Sequence, residues 1–164
     1  MEKKKDGIGS FLKTILIGLV AALLVVQLIQ PTIVVGESME NTYHDGDYLL
    51  IDKLSYRLHE PEYGDIIIFD TGDRYLIKRV IGKPGDTISI ENGAVSRNGS
   101  KLSEPYTKTA TEPEMEVKVE EDSYFCMGDN RGDSLDSRFE EIGQIDRDEI
   151  VGRVMVKLFS LPRY

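Results

Sequence analysis

Turn signals recur through most of this chain, and they constrain its fold more than any other feature. Beyond Pro31, reversals such as Asp45-Gly46-Asp47 and Pro84-Gly85-Asp86 separate short apolar stretches. Stretches of four to nine residues that are rich in Ile, Val, Tyr and Phe are typical of antiparallel strands. The predicted strands are Tyr48–Ile51, Ile66–Phe69, Tyr75–Ile81, Thr87–Ile90, Met115–Val119 and Val151–Phe159.

Helical periodicity is weak throughout residues 31–164. Short helices are expected around Lys53–Leu58 or Asp146–Ile150 at most. Residues 91–123 are hydrophilic and contain two prolines, so we expect an exposed excursion from the core there. The predicted fold class is all-β: an antiparallel sheet domain preceded by one N-terminal transmembrane helix.

The segment from Thr14 to Val35 carries no charged residue. Its length is close to the roughly 20 residues with which a helix crosses a bilayer. Lysines precede it, so the positive-inside rule predicts a basic cytoplasmic N-terminus at 1–13, a transmembrane anchor at 14–35 and an extracytoplasmic domain at 36–164. A signal peptide cut after Gly36 and a buried core helix are the alternatives.

Composition excludes several classes of function. The 164 residues are 40% hydrophobic and carry a net charge of −9, which suits a packed domain and disfavours nucleic acid as a partner. Cys126 is the only cysteine, so the chain forms no internal disulfide and no cysteine-based metal cluster. Two histidines argue against a histidine-rich zinc site. We therefore expect neither a cofactor nor a metal.

Lys78 lies inside the apolar and aromatic run from Tyr75 to Ile81. Burial lowers a lysine pKa and would make Lys78 a neutral general base. Its candidate nucleophile is Ser38, just beyond the hydrophobic segment. The alternatives are an exposed strand position for Lys78, an ordinary loop serine at Ser38, and His44 as the base.

The most polar segment runs from Gly128 to Arg138 and concentrates three aspartates, two arginines and two serines. Such side chains pack together only if they satisfy one another. An EF-hand loop is excluded because Arg131 occupies the third position, where an oxygen ligand is required. A generic surface loop is the simplest alternative, and the Arg131-Gly132-Asp133 tripeptide is too short to indicate adhesion.

Four blocks of the sequence carry polar or glycine-rich motifs: Ser38-Met39 with Thr42, Gly64–Phe69, Tyr75–Asp86, and Gly128–Arg131 with Ser134, Asp136, Ser137 and Arg138. Together they resemble the bacterial type I signal peptidases, the membrane-anchored Ser-Lys endopeptidases of peptidase family S26. The blocks occur in the family's order, and the resemblance spans residues 8–159.

The resemblance implies a role for each matching residue. Ser38 is then the nucleophile, Lys78 the general base, and Ser134 the serine that orients the lysine. Ion pairs of the site come from Asp129, Arg79, Asp136 and Arg138. The backbone N–H of Ser38 is one oxyanion donor. Small substrate side chains at −1 and −3 give an Ala-x-Ala preference, with substrate contacts from Val34, Val35, Gly36 and Met39. The apolar surface around Ile33, Val34, Val35 and Met39 is expected to rest against lipid.

The implied function is that of a membrane-bound serine endopeptidase that removes signal peptides from secretory preproteins. Preproteins and membrane lipid are its expected partners, and a monomer is expected. Two departures from the family pattern motivate an alternative: Asn41 replaces a common proline, and Gly36 stands where some members carry a hydroxyl. That alternative is a catalytically impaired relative that binds or regulates signal peptides. A self-cleaving repressor-type protease conflicts with the anchor and with the acidic domain.

Overall fold

The computed structural model describes residues 3–160, and antiparallel strands dominate them. All six predicted strands are present, which confirms the antiparallel β class. The elements are α1 (Lys3–Leu28), β1 (Ile29–Ile33), β2 (Asp47–Asp52), α2 (Ser55–Leu58), β3 (Ile66–Asp70), β4 (Tyr75–Gly82), β5 (Thr87–Glu91), β6 (Ala94–Arg97), β7 (Ser100–Lys101), β8 (Met115–Lys118), β9 (Ser123–Met127), β10 (Ile145–Asp146), a 3-10 turn (Arg147–Glu149) and β11 (Ile150–Ser160).

The strands form two sheets. The larger has seven strands in the order β1-β2-β11-β3-β4-β9-β10, and the smaller has four in the order β7-β6-β5-β8. The long strand β11 returns from the end of the chain and inserts between β2 and β3. The larger sheet therefore contains both β1, from the start of the domain, and β4.

Hairpin turns form where the sequence predicts them. Asn92-Gly93 joins β5 to β6, and Asn98-Gly99 joins β6 to β7. All four of these residues have positive φ, between 50° and 76°. Consecutive positive φ values define the type I′ turn, whose twist matches that of the flanking strands, and Asn-Gly adopts it most readily.

The N-terminal helix is shorter at its C-terminal end than the predicted anchor. It ends at Leu28, and residues 29–33, which the anchor 14–35 was expected to include, form β1 against β2. Pro31 explains the change, because proline disfavours a helix interior but is tolerated on an edge strand. Within the part of the chain that the structure describes, no helix is both long and apolar enough to span a membrane. Residues 1–2 of the predicted basic segment and 161–164 of the predicted domain lie outside the described residues.

The expected excursion at 91–123 is more ordered than predicted. It contributes β6, β7 and β8 to the smaller sheet. A hydrophobic cluster joins that sheet to the larger one through Ile88, Ile90 and Val95 on one side and Phe125 and Met127 on the other. The hydrophilic character predicted here belongs to the outer face of strands whose inner face is buried.

A separate group of buried side chains lies under the β1 end of the larger sheet. Val34, Leu49 and Ile51 are buried there, with Ile68 and Ile77 packed against them. This cluster fixes the segment that follows β1 against β4. The two short helices predicted from the sequence appear as α2 and as the 3-10 turn before β11.

Candidate active site

The structure brings the two predicted catalytic residues together. Lys78 lies on β4, opposite Ile67 of β3. Its Nζ donates a hydrogen bond to Ser38 Oγ at 2.8 Å, across forty positions of sequence. His44, the alternative base, instead lies with its Nδ1 2.8 Å from the Glu40 carboxylate. The geometry therefore favours Lys78 as the partner of Ser38.

Burial sets the protonation state of Lys78. The residue is 2% exposed, and loss of solvation lowers its pKa to about 8. The Asp136 carboxylate opposes this shift, because its negative charge favours the ammonium form. Near neutral pH, the Lys78 amine is thus unprotonated in part of the molecules and can accept a proton. When it does, the Asp136 carboxylate supplies the opposite charge nearby.

The backbone around Ser38 is held by the polar segment 128–138. The N–H of Asn130 donates to the Ser38 carbonyl at 3.0 Å, and the Asn130 side-chain amide donates to the Glu37 carbonyl at 3.1 Å. Gly128 makes this approach possible, since a Cβ built on it would lie 2.5 Å from the Ser38 carbonyl oxygen and 2.2 Å from Ser134 Oγ. Sequence analysis did not assign a role to Asn130 or Gly128.

Arg79 and Asp129 form one buried ion pair of the site. The guanidinium binds the carboxylate through two bonds, Nε to Oδ1 at 2.8 Å and Nη2 to Oδ2 at 2.6 Å. The Thr42 hydroxyl donates to the same carboxylate. Arg79 also donates to the Gly64 carbonyl at 2.9 Å. This pair ties the Ser38 turn, β4 and the polar segment to one another.

Asp136 and Arg138 form the second ion pair, with both carboxylate oxygens bound at 2.8 and 2.9 Å. The same carboxylate accepts the Gly128 N–H at 2.9 Å. Ser134 donates its hydroxyl to Asp136 Oδ2 at 2.7 Å, and no hydrogen bond among residues 3–160 joins it to Lys78. The described residues therefore do not form the hydrogen bond that was expected between Ser134 and Lys78. Asp136 accepts the hydrogen bond of the Ser134 hydroxyl and acts on Lys78 through its negative charge.

Asn41, one of the two departures from the family pattern, has φ 89°. It lies in a turn in which the N–H groups of Thr42 and Tyr43 donate to the Met39 carbonyl at 3.0 and 2.8 Å. Proline is locked near −65° and cannot adopt this φ, whereas asparagine tolerates it. The turn is therefore built around Asn41, and its hydrogen bonds are formed without proline.

A groove of about 230 Å³ opens at Ser38 and Lys78. Of the four predicted substrate contacts, Val34 and Val35 line it, and Val35 is 84% exposed. Gly36 and Met39 do not line it. The Gly36 N–H donates to Asp45 Oδ1 at 2.8 Å, and Met39 is fully buried.

The burial of Met39 and Val34 corrects the expectation that both rest against lipid. Each packs inward, Val34 in the cluster with Leu49 and Ile51. Ile33 and Val35 remain exposed, because side chains alternate along extended backbone. The sequence showed four apolar residues close together but not which of them face solvent.

A strap from the smaller sheet, residues 104–112, crosses the polar segment. Arg131 is buried and binds both Glu104 carboxylate oxygens, at 2.5 and 3.1 Å, and Thr111 Oγ1 at 2.7 Å. Its Nε donates to the Gly128 carbonyl at 3.0 Å. Tyr106 of the strap lies under the Arg79 guanidinium, 4.1 Å from ring centroid to Cζ. Sequence analysis missed this support, because nothing local links Glu104 to Arg131.

A metal ion would need a cluster of ligating side chains among the residues that the structure describes. No group of three or more His, Cys, Asp or Glu side chains is placed there to hold an ion. The carboxylates of the site, Asp129 and Asp136, are each occupied by an arginine.

Comparison with known proteins shows the family to which this fold belongs. The family model described as signal peptidase, peptidase S26, matches residues 8–159. Signal peptidase I of Bacillus licheniformis is 39% identical over 163 residues, which cover 91% of this chain and 87% of that protein. Signal peptidase I T of Bacillus subtilis strain 168 is 38% identical over 165 residues, covering 92% and 85%. A crystal structure of a signal peptidase I from Enterococcus faecalis V583 matches with a TM-score of 0.53 and 27% identity, covering 59% of this chain and 98% of that one.

The fold and these matches define a serine peptidase of the hydrolase class. The chain belongs to the signal peptidase family, peptidase S26. Its activity is the cleavage of signal peptides, and its substrates are preproteins that carry them. The catalytically impaired alternative is not favoured by these matches.

Proposed function

We propose that Ser38 and Lys78 are the catalytic pair of this signal peptidase. The observation that carries the proposal is the 2.8 Å hydrogen bond between Lys78 Nζ and Ser38 Oγ, made by a lysine whose pKa burial lowers to about 8. A neutral amine at that distance can take a hydroxyl proton directly. Within the described residues, no other base is bonded to Ser38 Oγ.

The reaction then runs in two halves on the same pair. Neutral Lys78 takes the Ser38 proton as Oγ attacks the carbonyl carbon before the scissile bond. The Lys78 ammonium next gives that proton to the leaving amine, and an acyl-enzyme on Ser38 remains. Lys78, neutral again, deprotonates a water that releases the signal peptide. Asp136 stabilises the transient ammonium through its negative charge.

The backbone N–H of Ser38 is the proposed donor to the oxyanion. Among residues 3–160 it has no hydrogen-bond acceptor, so it is available to substrate. Gly36 is not proposed as the second donor, because its N–H is already bonded to Asp45. Fixed donors of this kind contribute about 10²–10³ to the rate, because charge develops where they point.

Substrate binding is proposed along the groove that starts at the catalytic pair. The strand β1 is an edge strand, and an edge accepts an extended peptide as a further strand. Val34 and Val35 would contact the small −1 and −3 side chains of an Ala-x-Ala site, as the resemblance implies. Cleavage after the −1 residue follows from its position next to Ser38.

We also propose that α1 holds the domain at a membrane, with the lysine-rich end in the cytoplasm and the catalytic domain on the other side. Support comes from apolar side chains that α1 leaves exposed, including Phe11, Leu16 and Ile17. Exposed Ile33 and Val35 would touch lipid beside the groove. The chain acts as a monomer in this proposal and needs no cofactor, metal or nucleic acid.

The test is cleavage of a preprotein with an Ala-x-Ala site in detergent or lipid. We expect wild type to cut after the −1 alanine, and Ser38→Ala and Lys78→Met to lose at least about 10³-fold in kcat/KM. Lys101→Met, at an exposed lysine of β7, is the matched control and should cleave normally. Circular dichroism should show that all variants fold. Retained cleavage in either folded active-site variant would refute the pair.

A further inference from the structure

The substrate groove continues well beyond the catalytic pair. Side chains at alternate positions of a strand share one face, and Leu49, Ile51 and Lys53 all line the groove along β2 and just past its end. Gln30 and Thr32 line it in the same way along β1. The groove therefore follows these two strands and has Lys53 at one limit.

Strand pairing shows at which end of the groove Lys53 lies. Thr32 pairs with Leu49, and Gln30 pairs with Ile51, so the next step in the same direction is Leu28 with Lys53. The Lys53 N–H indeed donates to the Leu28 carbonyl at 2.9 Å. Four residues of strand separate Leu49 from Lys53, which is about 13 Å. Lys53 thus lies at the end of the groove that is remote from Ser38.

The charges on the groove wall have one sign. Lys53 and Lys78 are the charged residues that line it, in a chain whose net charge is −9. Lys78 is engaged with Ser38. Among the described residues, no ion pair or side-chain hydrogen bond holds the Lys53 ammonium. A half-buried cation without a protein partner is available to a ligand.

The acidic groups near Lys53 have other partners or face another cleft. Asp52 is turned to the opposite face, and its carboxylate accepts from the N–H groups of Leu54 and Ser55 at 2.8 and 3.0 Å. Lys53 also borders a second cleft, lined among others by Arg57, Glu60, Arg147 and Asp148. There Glu60 pairs with Arg147 at 2.8 Å.

We infer that Lys53 selects signal peptides by their charge. It favours an acidic side chain and disfavours a basic one at substrate positions between about −6 and −9, counted back from the cleavage site. The inference rests on the proposed function, with the substrate strand parallel to β1 and its −3 side chain at Val34. Leu28 lies six residues before Val34, and an extended substrate advances by the same rise per residue as β1. The flexible Lys53 side chain reaches over about two of those substrate positions.

The experiment measures kcat/KM for preproteins that carry Glu, Gln or Lys at each position from −6 to −9 in turn. For wild type, we expect Glu to exceed Gln and Gln to exceed Lys by about twofold to fivefold each at the best position. Lys53→Gln should abolish the preference, and Lys53→Glu should reverse it. Added salt should weaken it. Lys101→Glu changes the net charge equally, far from the groove, and should behave as wild type.

The Gln substrates separate the two proposals. If wild type fails to cut them, the proposed function fails first. If wild type cuts them but shows no charge preference in the window, or if Lys53→Glu keeps the wild-type preference, the inference is wrong. A loss of all cleavage by Lys53→Glu only on vesicles with anionic lipid would assign Lys53 to lipid headgroups and would also overturn it.

Discussion

The two members of the proposed catalytic pair are held in different ways. Lys78 is part of β4, which is paired with β3 on one side and β9 on the other, and the sheet fixes its position. Ser38 lies outside any strand or helix, in a turn whose backbone is bonded to Asn130. The base is therefore placed by the sheet and its burial, and the nucleophile is placed by hydrogen bonds from the polar segment 128–138.

This difference predicts where each half is vulnerable. Apolar packing around Lys78 tolerates small changes, because many contacts together hold the side chain in place. The support of Ser38 depends on a few buried polar groups, and removing one partner leaves the other unpaired at a cost of about 1–3 kcal/mol. Variants of the polar segment should thus reduce activity before they unfold the sheet.

Among variants that leave Ser38 and Lys78 in place, the largest effect is expected from Gly128→Ala. The added Cβ would meet the Ser38 carbonyl oxygen at 2.5 Å, and backbone cannot move aside as a flexible side chain does. We expect kcat/KM to fall about 10²-fold, since displacement of a reacting group by about 1 Å costs that much. Gly132→Ala is the matched control in the same segment, because its Cβ meets only Thr109 at 3.9 Å. Steady-state cleavage of a preprotein measures both.

Equal activity of Gly128→Ala and Gly132→Ala would show that Ser38 does not depend on the close approach of Gly128. In a crystal structure of Gly128→Ala, we expect Ser38 to be displaced while Lys78 keeps its place on β4.

A smaller effect is expected at Asn41, which shapes the turn after Ser38. Asn41→Pro cannot adopt φ 89° and should lower kcat/KM about tenfold as the turn rearranges. Asn41→Gly retains that φ and should stay within about twofold of wild type. Cleavage assays on both variants, with melting temperatures, measure the change. Higher activity of Asn41→Pro would instead show that the missing proline had weakened this enzyme.

The strands and turns were predictable because their signals are local. Asn92-Gly93 and the run Tyr75–Ile81 specify a hairpin and a strand without knowledge of any partner. The strand β1 was missed because its residues continue an uncharged apolar segment, and only pairing with β2 distinguishes them from a helix. Pro31 was the residue that could have indicated the end of the helix before β1.

Some residues of the site were also predictable, but the hydrogen bonds and ion pairs between them were not. A lysine in an apolar run and the resemblance identified Lys78 and Ser38. The sequence did not show that Ser134 bonds to Asp136 or that Glu104 reaches Arg131 from 27 positions away. Such choices depend on which of several acceptors lies closest in space. The one available indication was general: an arginine that becomes buried needs an anionic partner, so ion pairs of this kind were to be expected.

The pH dependence of kcat/KM is the measurement that shows whether buried Lys78 acts as the base. With a neutral substrate, we expect kcat/KM to rise about tenfold per pH unit below about pH 8 and to level off above it, because Lys78 must lose its proton and its pKa is about 8. A profile that levels off near pH 6.5, as ordinary histidine titration gives, or one that still rises toward the ordinary lysine pKa of about 10.4, would contradict it.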